Sequence, residues 1–362
     1  MQVEKKKIRV LVVDDSALMR KLISSLLEKD PEIEVVATAI DGCFALAKVE
    51  QLKPDVVTLD VDMPRMDGLT ALGEMVANHH TPVVMLSSLT TRGAALTMQA
   101  LEKGAVDFVC KPTNNARLAD MSEELILKVK TAARANTAAF TAQPLVTPVK
   151  KAPSIVGQGR SSNRIVAIGA SSGGPHALRY LLPRLPADLD AGVVIVQHMP
   201  KSFTGMLAHW LNEICELQVK EAESGDSVCP GRVLIAPGSS HMRIRKALTG
   251  YEVYLEDGAL VNGHKPSVDV LFNSVASVCG MQSVALLMTG MGSDGAQGLG
   301  EIKKAGGHTI AQDKESCAIY GMPRAAIERG YADQVLPLTE MASHLSSKVG
   351  RLTEVENSYA FN

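Results

Sequence analysis

The stretch that most restricts how this chain can fold is residues 164–175, RIVAIGASSGGP. Ile165, Val166, Ala167 and Ile168 form a short apolar run that suits a buried strand. Gly169, Ala170, Ser171, Ser172 and Gly173 follow as G-x-S-x-G, after which Ala177, Leu178, Leu181 and Leu182 take up a helical spacing. A strand that turns through glycines into a helix exposes the serine hydroxyl at the end of a sheet, and it aims the first helical N–H groups at the same point. Ser171 is therefore a candidate nucleophile with oxyanion donors close by. The same pattern also fits a phosphate-cradling turn or a plain strand–helix connection, so the rest of the chain has to decide.

A serine nucleophile needs a base to take its proton and a carboxylate to orient that base. From residue 164 to about 350, strand-like runs at 165–168, 192–196, 233–236, 284–288, 309–311 and 334–336 alternate with helical stretches. Pieces at 241–245 and 251–255 are hairpin-like and alternate in a way that suits an exposed antiparallel edge of the sheet. This predicts a mainly parallel, doubly wound α/β sheet. Among the histidines of this half, His198 ends the run VVIVQH, at the sheet edge where Ser171 is expected. His176 and His209 fall in helical registers and His308 begins a strand, while His241 and His264 lie on loops and are weaker candidates. For the carboxylate, Asp294 follows an apolar strand in a loop with Gly290, Gly292 and Gly295, and it is preferred to Asp269 and Asp313. By itself Asp294 would be read as a helix cap. The order Ser…His…Asp differs from the Ser…Asp…His order of α/β-hydrolases, so that fold is not implied. The expected oxyanion donors lie in the turn after Ser171, at Ser172, and in the loop around Met291. No histidine of this half has metal-ligand spacing.

Residues 8 to about 130 alternate in the same way, with strands expected at 8–13, 34–39, 56–60, 82–86 and 106–110 and a helix starting after a Ser16 cap. In a parallel sheet built this way, ligands bind beyond the carboxyl ends of the strands. That gathers Asp14, Asp15, Asp60, Ser87 and Lys111 around one crevice. Three carboxylates together repel one another unless a divalent cation sits among them, and such oxygen donors suit Mg²⁺. A cation and Lys111 would neutralise a phosphoryl group on Asp60, and Ser87 could hydrogen-bond one of its oxygens.

The motifs VVDDS, LDVDMPRMDG, LSS and the CKP of residues 110–112 resemble a response-regulator receiver domain, a flavodoxin-like fold with a five-stranded parallel sheet. The resemblance implies that Asp60 accepts phosphate from a histidine kinase and that Asp14 and Asp15 form the metal-binding acidic pair. It also implies that Ser87 and Lys111 are the switch hydroxyl and lysine, and that Phe108 is the aromatic switch residue. GASSGGP, QHMP, TGMGSDG and HKPSVDVLF resemble the catalytic domain of the chemotaxis protein-glutamate methylesterase family. That implies a triad of Ser171, His198 and Asp294. It also implies hydrolysis of glutamate methyl esters on the cytoplasmic helices of chemoreceptors, with release of methanol, and deamidation of glutamines by the same attack. Ser172 stands where close relatives often carry threonine. A phosphate switch tethered to a hydrolase suggests that the unphosphorylated receiver covers the Ser171 crevice. A receptor-binding module without hydrolysis is the alternative.

Composition agrees with this organisation. The 362 residues are 46% hydrophobic, enough for two cores, and the formal charge of −2 gives no general attraction to nucleic acid or anionic membrane. No basic recognition helix is present. The six cysteines form no C-x-x-C pair, which fits a reducing compartment. The first apolar run is broken by Arg9 and stops at Asp14 and Asp15, so it reads as neither signal peptide nor membrane span, and a cytoplasmic protein is expected. The expected divisions are a receiver at 1–130, a Pro-, Ala- and Thr-rich linker at 131–163, a catalytic domain at 164–350 and a tail at 351–362.

Overall fold

The computed structural model describes residues 6–88, 90–112, 118–137 and 163–350. Most of the expected linker and the whole expected tail lie outside the described residues. In the first third, β1 (Ile8–Val13), α1 (Ala17–Leu27), β2 (Ile33–Ala39), α2 (Gly42–Leu52), β3 (Val56–Asp60) and α3 (Gly68–Glu74) follow one another. A short π-helical turn at Met75–His79 leads to β4 (Val83–Ser87), α4 (Thr91–Glu102), β5 (Asp107–Cys110) and α5 (Leu118–Ala132). The strands form one parallel sheet in the order β2-β1-β3-β4-β5. Its central strands β3 and β4 are buried along their whole length, as near-continuous apolar runs covered on both faces must be. Local side chains set the helix starts: Ser16, Asp41, Asp67 and Thr90 each accept a bond from an N–H of the first turn.

The Ala- and Arg-containing stretch after α5 would allow the helix to run to about residue 139, but α5 ends at Ala132. The chain tightens there through Arg134 N–H to Thr131 O and Ala135 N–H to Ala132 O. Asn136 is then drawn onto the second half, its N–H donating to Ala318 O and its Nδ2 to Glu315 O.

The second half comprises β6 (Ile165–Ala170), α6 (Gly174–Leu181), β7 (Gly192–Gln197), α7 (Lys201–Ile214), β8 (Gln218–Glu221), β9 (Ser227–Val228), β10 (Arg232–Ile235), β11 (His241–Lys246) and β12 (Tyr251–Glu256). It continues with α8 (Val268–Cys279), β13 (Ser283–Leu287), α9 (Ala296–Lys304), β14 (His308–Gln312), α10 (Met322–Glu328), β15 (Gln334–Leu336) and α11 (Leu338–Val349). The main sheet has seven strands in the order β15-β14-β13-β6-β7-β10-β8, all parallel. From β6 the chain builds outward on one side through β7 and then on the other through β13. The crevice beyond β6 is therefore a topological switch point, where α/β sheets bind ligands.

Two features differ from the sequence-based expectation. The hairpin β11/β12 is not an edge of the main sheet but pairs with β9 in a separate three-stranded sheet. Its apolar side, including Met242, Ile244 and Val253, joins a core cluster with Leu271 and Val275 of α8. The edge strand β8 and the two-residue β9 are additional; both are too short and too polar to give a period-2 signal.

Candidate functional site

Ser171 follows β6 and His198 follows β7, and the two strand ends are bound together. His198 N–H donates to Ala170 O at 3.0 Å, and Gln197 Nε2 donates to Ser171 O at 2.8 Å and to His198 O at 3.2 Å. Gly173, at φ +77°, is the residue before α6, and Gly174 N–H closes the turn on Ser171 O. From the other side, β13 brings its loop against the serine: Ser171 N–H donates to Thr289 O. At Gly290 an added Cβ would stand 2.7 Å from Ser171 Cβ, so the missing side chain is what lets the β13 loop approach the serine there.

His198 and Asp294 are joined directly, Nε2 to Oδ2, at 2.8 Å. The Asp294 carboxylate is buried and heavily bonded. Val268 N–H donates to Oδ2 at 2.7 Å, and Ser267 Oγ and Asn262 Nδ2 donate to Oδ1 at 2.8 and 2.7 Å. Burial works to raise its pKa, but the His198, Asn262 and Val268 donors outweigh it and hold the carboxyl well below the usual range. Asp294 does cap a helix, yet not the one that follows it: it accepts from the first N–H groups of α8, while Gly295 precedes α9 without a side-chain cap. With the Nε2 proton given to Asp294, the buried Nδ1 of His198 holds the free lone pair and makes no hydrogen bond. The Ser171 hydroxyl makes none either among the described residues, so the serine–imidazole bond is unformed in this arrangement.

With one exception none of the remaining histidines stacks on His198 among the described residues; His241, expected on a loop, opens β11 and is buried there, its Nδ1 accepting from Ser267 N–H at 3.2 Å. His209 is on an exposed face of α7, and His308 pairs with His344, Nε2 to Nε2 at 3.0 Å, at the other end of the sheet. Asp313 holds Ser316, and Asp269 takes Gly298 N–H and Asn262 Nδ2. The exception is His264, whose ring lies flat on that of His198, centroids 3.8 Å apart and 11° from parallel. Placement on a loop gave it little weight in the sequence. The Asn262–Gly263 pair immediately before it is the available signal, because such a pair marks a tight two-residue turn.

The Ser172 and Met291 N–H groups, the expected oxyanion donors, make no hydrogen bond among the described residues. Both residues instead meet the first half of the chain through their side chains. Ser172 Oγ donates to Asp107 Oδ2 of β5 at 2.5 Å, and Thr131 of α5 lies directly against the Met291 side chain. Around them Phe108 packs on Phe203 of α7, centroids 4.4 Å apart, and Glu102 of α4 pairs with Arg179 of α6. The α4–β5–α5 face thus lies over the Ser171 rim.

At the carboxyl end of the first sheet, Asp14, Asp15 and Asp60 bring one carboxylate oxygen each within 4.8 Å of the others. Lys111 Nζ lies 2.8 Å from both Asp14 Oδ2 and Asp60 Oδ1. Burial raises the Asp60 carboxyl to about 6 against the opposing effect of Lys111. One ammonium among three carboxylates leaves negative charge in excess, which is the donor set a divalent cation such as Mg²⁺ fits. Ser87 is buried with its hydroxyl turned to α4, accepting from Thr97 Oγ1 at 2.6 Å and donating to Gly93 O at 3.2 Å. No helix among the described residues is long and apolar enough to cross a membrane.

Comparison with known proteins agrees with both halves. Residues 166–345 match the family model described as CheB methylesterase, and residues 10–123 match the response regulator receiver domain. A protein-glutamate methylesterase/protein-glutamine glutaminase of Koribacter versatilis is 48% identical over 345 residues, covering 93% of this chain and 95% of the relative. One from Symbiobacterium thermophilum is 49% identical over 357 residues, covering 95% and 97%. The crystal structure of the Thermotoga maritima CheB methylesterase catalytic domain superposes with a TM-score of 0.50 at 42% identity, covering 51% of this chain and 97% of that one.

Proposed function

We propose, from the premise that this chain belongs to the family of receiver-regulated protein-glutamate methylesterase/protein-glutamine glutaminases of chemotaxis, that Ser171, His198 and Asp294 are its catalytic triad. The observation that carries this reading is the His198–Asp294 bond, which leaves Nδ1 basic at the strand end next to Ser171. His198 Nδ1 takes the proton as Ser171 Oγ attacks the side-chain carbonyl of a glutamate methyl ester or glutamine. Asp294 balances the imidazolium charge. The N–H groups of Ser172 and Met291 receive the oxyanion; losing one such donor typically costs about 3–4 kcal/mol. Methanol or ammonia leaves with the proton from His198. Water, deprotonated by the same imidazole, then cleaves the acyl-enzyme and returns the serine. The substrates are glutamyl side chains on the cytoplasmic helices of chemoreceptors.

In the receiver, Asp60 is the phosphate acceptor and a chemotaxis histidine kinase the donor. Asp14, Asp15 and Asp60 would hold Mg²⁺, which when bound supplies positive charge to phosphoryl oxygens. Lys111 pairs with Asp60 and Asp14, and Ser87 and Phe108 respond to phosphorylation. The α4–β5–α5 face inhibits by covering the Ser171 rim, as the Ser172–Asp107 bond supports. Phosphorylation, by moving Ser87 and Phe108, loosens that face.

A fluorophosphonate probe and methanol release from methylated receptors, with and without a small-molecule phosphodonor, test this reading. Labelling and methanol release that the phosphodonor increases, both abolished in Ser171→Ala, are expected. A Ser171→Ala protein that still labels and still releases methanol would overturn the triad.

A further inference from the structure

An imidazole held through one nitrogen can still tilt about that hydrogen bond, and a base must present its other nitrogen in a fixed direction. His198 has its Nε2 bond to Asp294 and no partner at Nδ1, so something else has to fix the plane of its ring. The flat contact with His264 does this. His264 is itself firmly held. Val261 and His264 exchange both backbone bonds at 3.0 Å, and the two residues between them, Asn262 and Gly263, have φ +53° and +79°. That is the geometry of a two-residue turn with left-handed central residues, which Asn-Gly favours. The same turn sends Asn262 Nδ2 to Asp294 Oδ1 at 2.7 Å and to Asp269 Oδ2 at 2.6 Å. One rigid turn therefore reaches both the acid and the base.

We propose that His264 is a positioning residue for the hydrolysis: it fixes the plane of His198 by face-to-face stacking and presents an uncharged π-face to the imidazolium as it forms. This rests on the triad reading given above. An aromatic face stabilises an adjacent cation, whereas a second cation at the same distance would repel it. The charged and titratable groups facing His264 are His198, Asp294 and, from the receiver, Lys128, which is paired with Asp107 and Glu124. With the receiver in place, burial and the neighbouring His198 and Lys128 push the His264 pKa down to about 4, against the pull of Asp294, so the ring is neutral in this arrangement.

The test uses the full chain, activated by a phosphodonor, with methanol release from methylated receptors measured across pH. His264→Ala removes the face and His264→Phe keeps it; His264→Gln serves as the truncation if the alanine variant does not fold. The expected result is a kcat about ten- to a hundredfold lower in the truncated variant at nearly unchanged KM. Its acid limb should lie at lower pH, since the imidazolium has lost its support, and phenylalanine should restore most of both. A truncated variant within about twofold of the parent, a loss confined to KM, or a kcat loss with an unmoved acid limb and no rescue by phenylalanine overturns the proposal. His198→Ala and Ser171→Ala run alongside: activity retained in those would reject the triad itself, whatever the His264 variants do.

Discussion

Asp294 and Asp60 are both carboxylates taken out of water, and their neighbours drive them in opposite directions. Around Asp294, donors from His198, Asn262 and the α8 terminus overcome burial, so the group stays ionised and can balance an imidazolium. Around Asp60, burial outweighs Lys111 and the carboxyl rises to about 6. Folded Asp60 therefore binds its proton more tightly than the unfolded chain does. The stability it contributes is full below the unfolded value of 3.8 and is lost as the pH rises through about 6. A shift of this size corresponds to at most about 3 kcal/mol. Denaturant unfolding of the full chain without divalent cation should show this slope, and Asp60→Asn should flatten it. Mg²⁺, which requires the ionised form, should bind more weakly as the pH falls through the same window. An Mg²⁺ affinity that does not change between about pH 7 and about pH 5 would contradict this account.

At the scale of elements, the site depends on three strand ends meeting with very little room. The glycines of the 290–295 loop do not all serve one purpose. Gly290 is where β13 meets the β6 turn, Gly292 is needed for its positive φ of 82°, and Gly295 combines a positive φ of 85° with a close approach to Val268 and Leu287. An alanine at 290 would press its Cβ on Ser171 Cβ at 2.7 Å and on the sulfur of the fully buried Met322. Overpacking of this kind typically costs about 1–3 kcal/mol. Gly290→Ala is expected to fold with a lowered melting temperature and to lose at least about tenfold in methanol release, because a small displacement of the nucleophile is felt strongly. Circular dichroism and the activity assay check the two halves of that statement; full activity would mean that the β13 loop yields and does not set the serine.

Across the whole molecule, the receiver and the catalytic sheet share an apolar cluster that includes Met98, Leu101 and Phe108 on one side and Phe203 and Leu207 on the other. The polar bonds at its margin, Ser172–Asp107 and Arg179–Glu102, are the parts most open to trial. A hydrogen bond to a charged group contributes about 1.5–3 kcal/mol. Asp107→Ala should therefore raise the rate of the unphosphorylated chain by about tenfold and leave the phosphorylated rate within about twofold. Arg179→Ala should act in the same direction but less. Comparison of methanol release with and without phosphodonor checks this, and an unphosphorylated rate unchanged in Asp107→Ala would separate the contact from inhibition.

What the sequence determined by itself is whatever short-range chemistry encodes. Apolar runs marked β1, β3 and β15 to the residue, Ser16 marked the start of α1, and the glycine-framed serine marked the turn out of β6. Strand-end position then brought Asp14, Asp15, Asp60 and Lys111 to one crevice, because in a parallel sheet every carboxyl end lies on the same edge. The pairing partners of individual strands and loops were decided only by the tertiary structure. The hairpin β11/β12 chose β9 and the face of α8 over the main sheet, Asp294 turned to the N-terminus of α8 rather than to its own helix, and His264 came from a loop to lie on His198. Each of those contacts joins residues far apart in the chain through packing and hydrogen bonding that no local period records, and the receiver's grip on Ser172 is of the same kind.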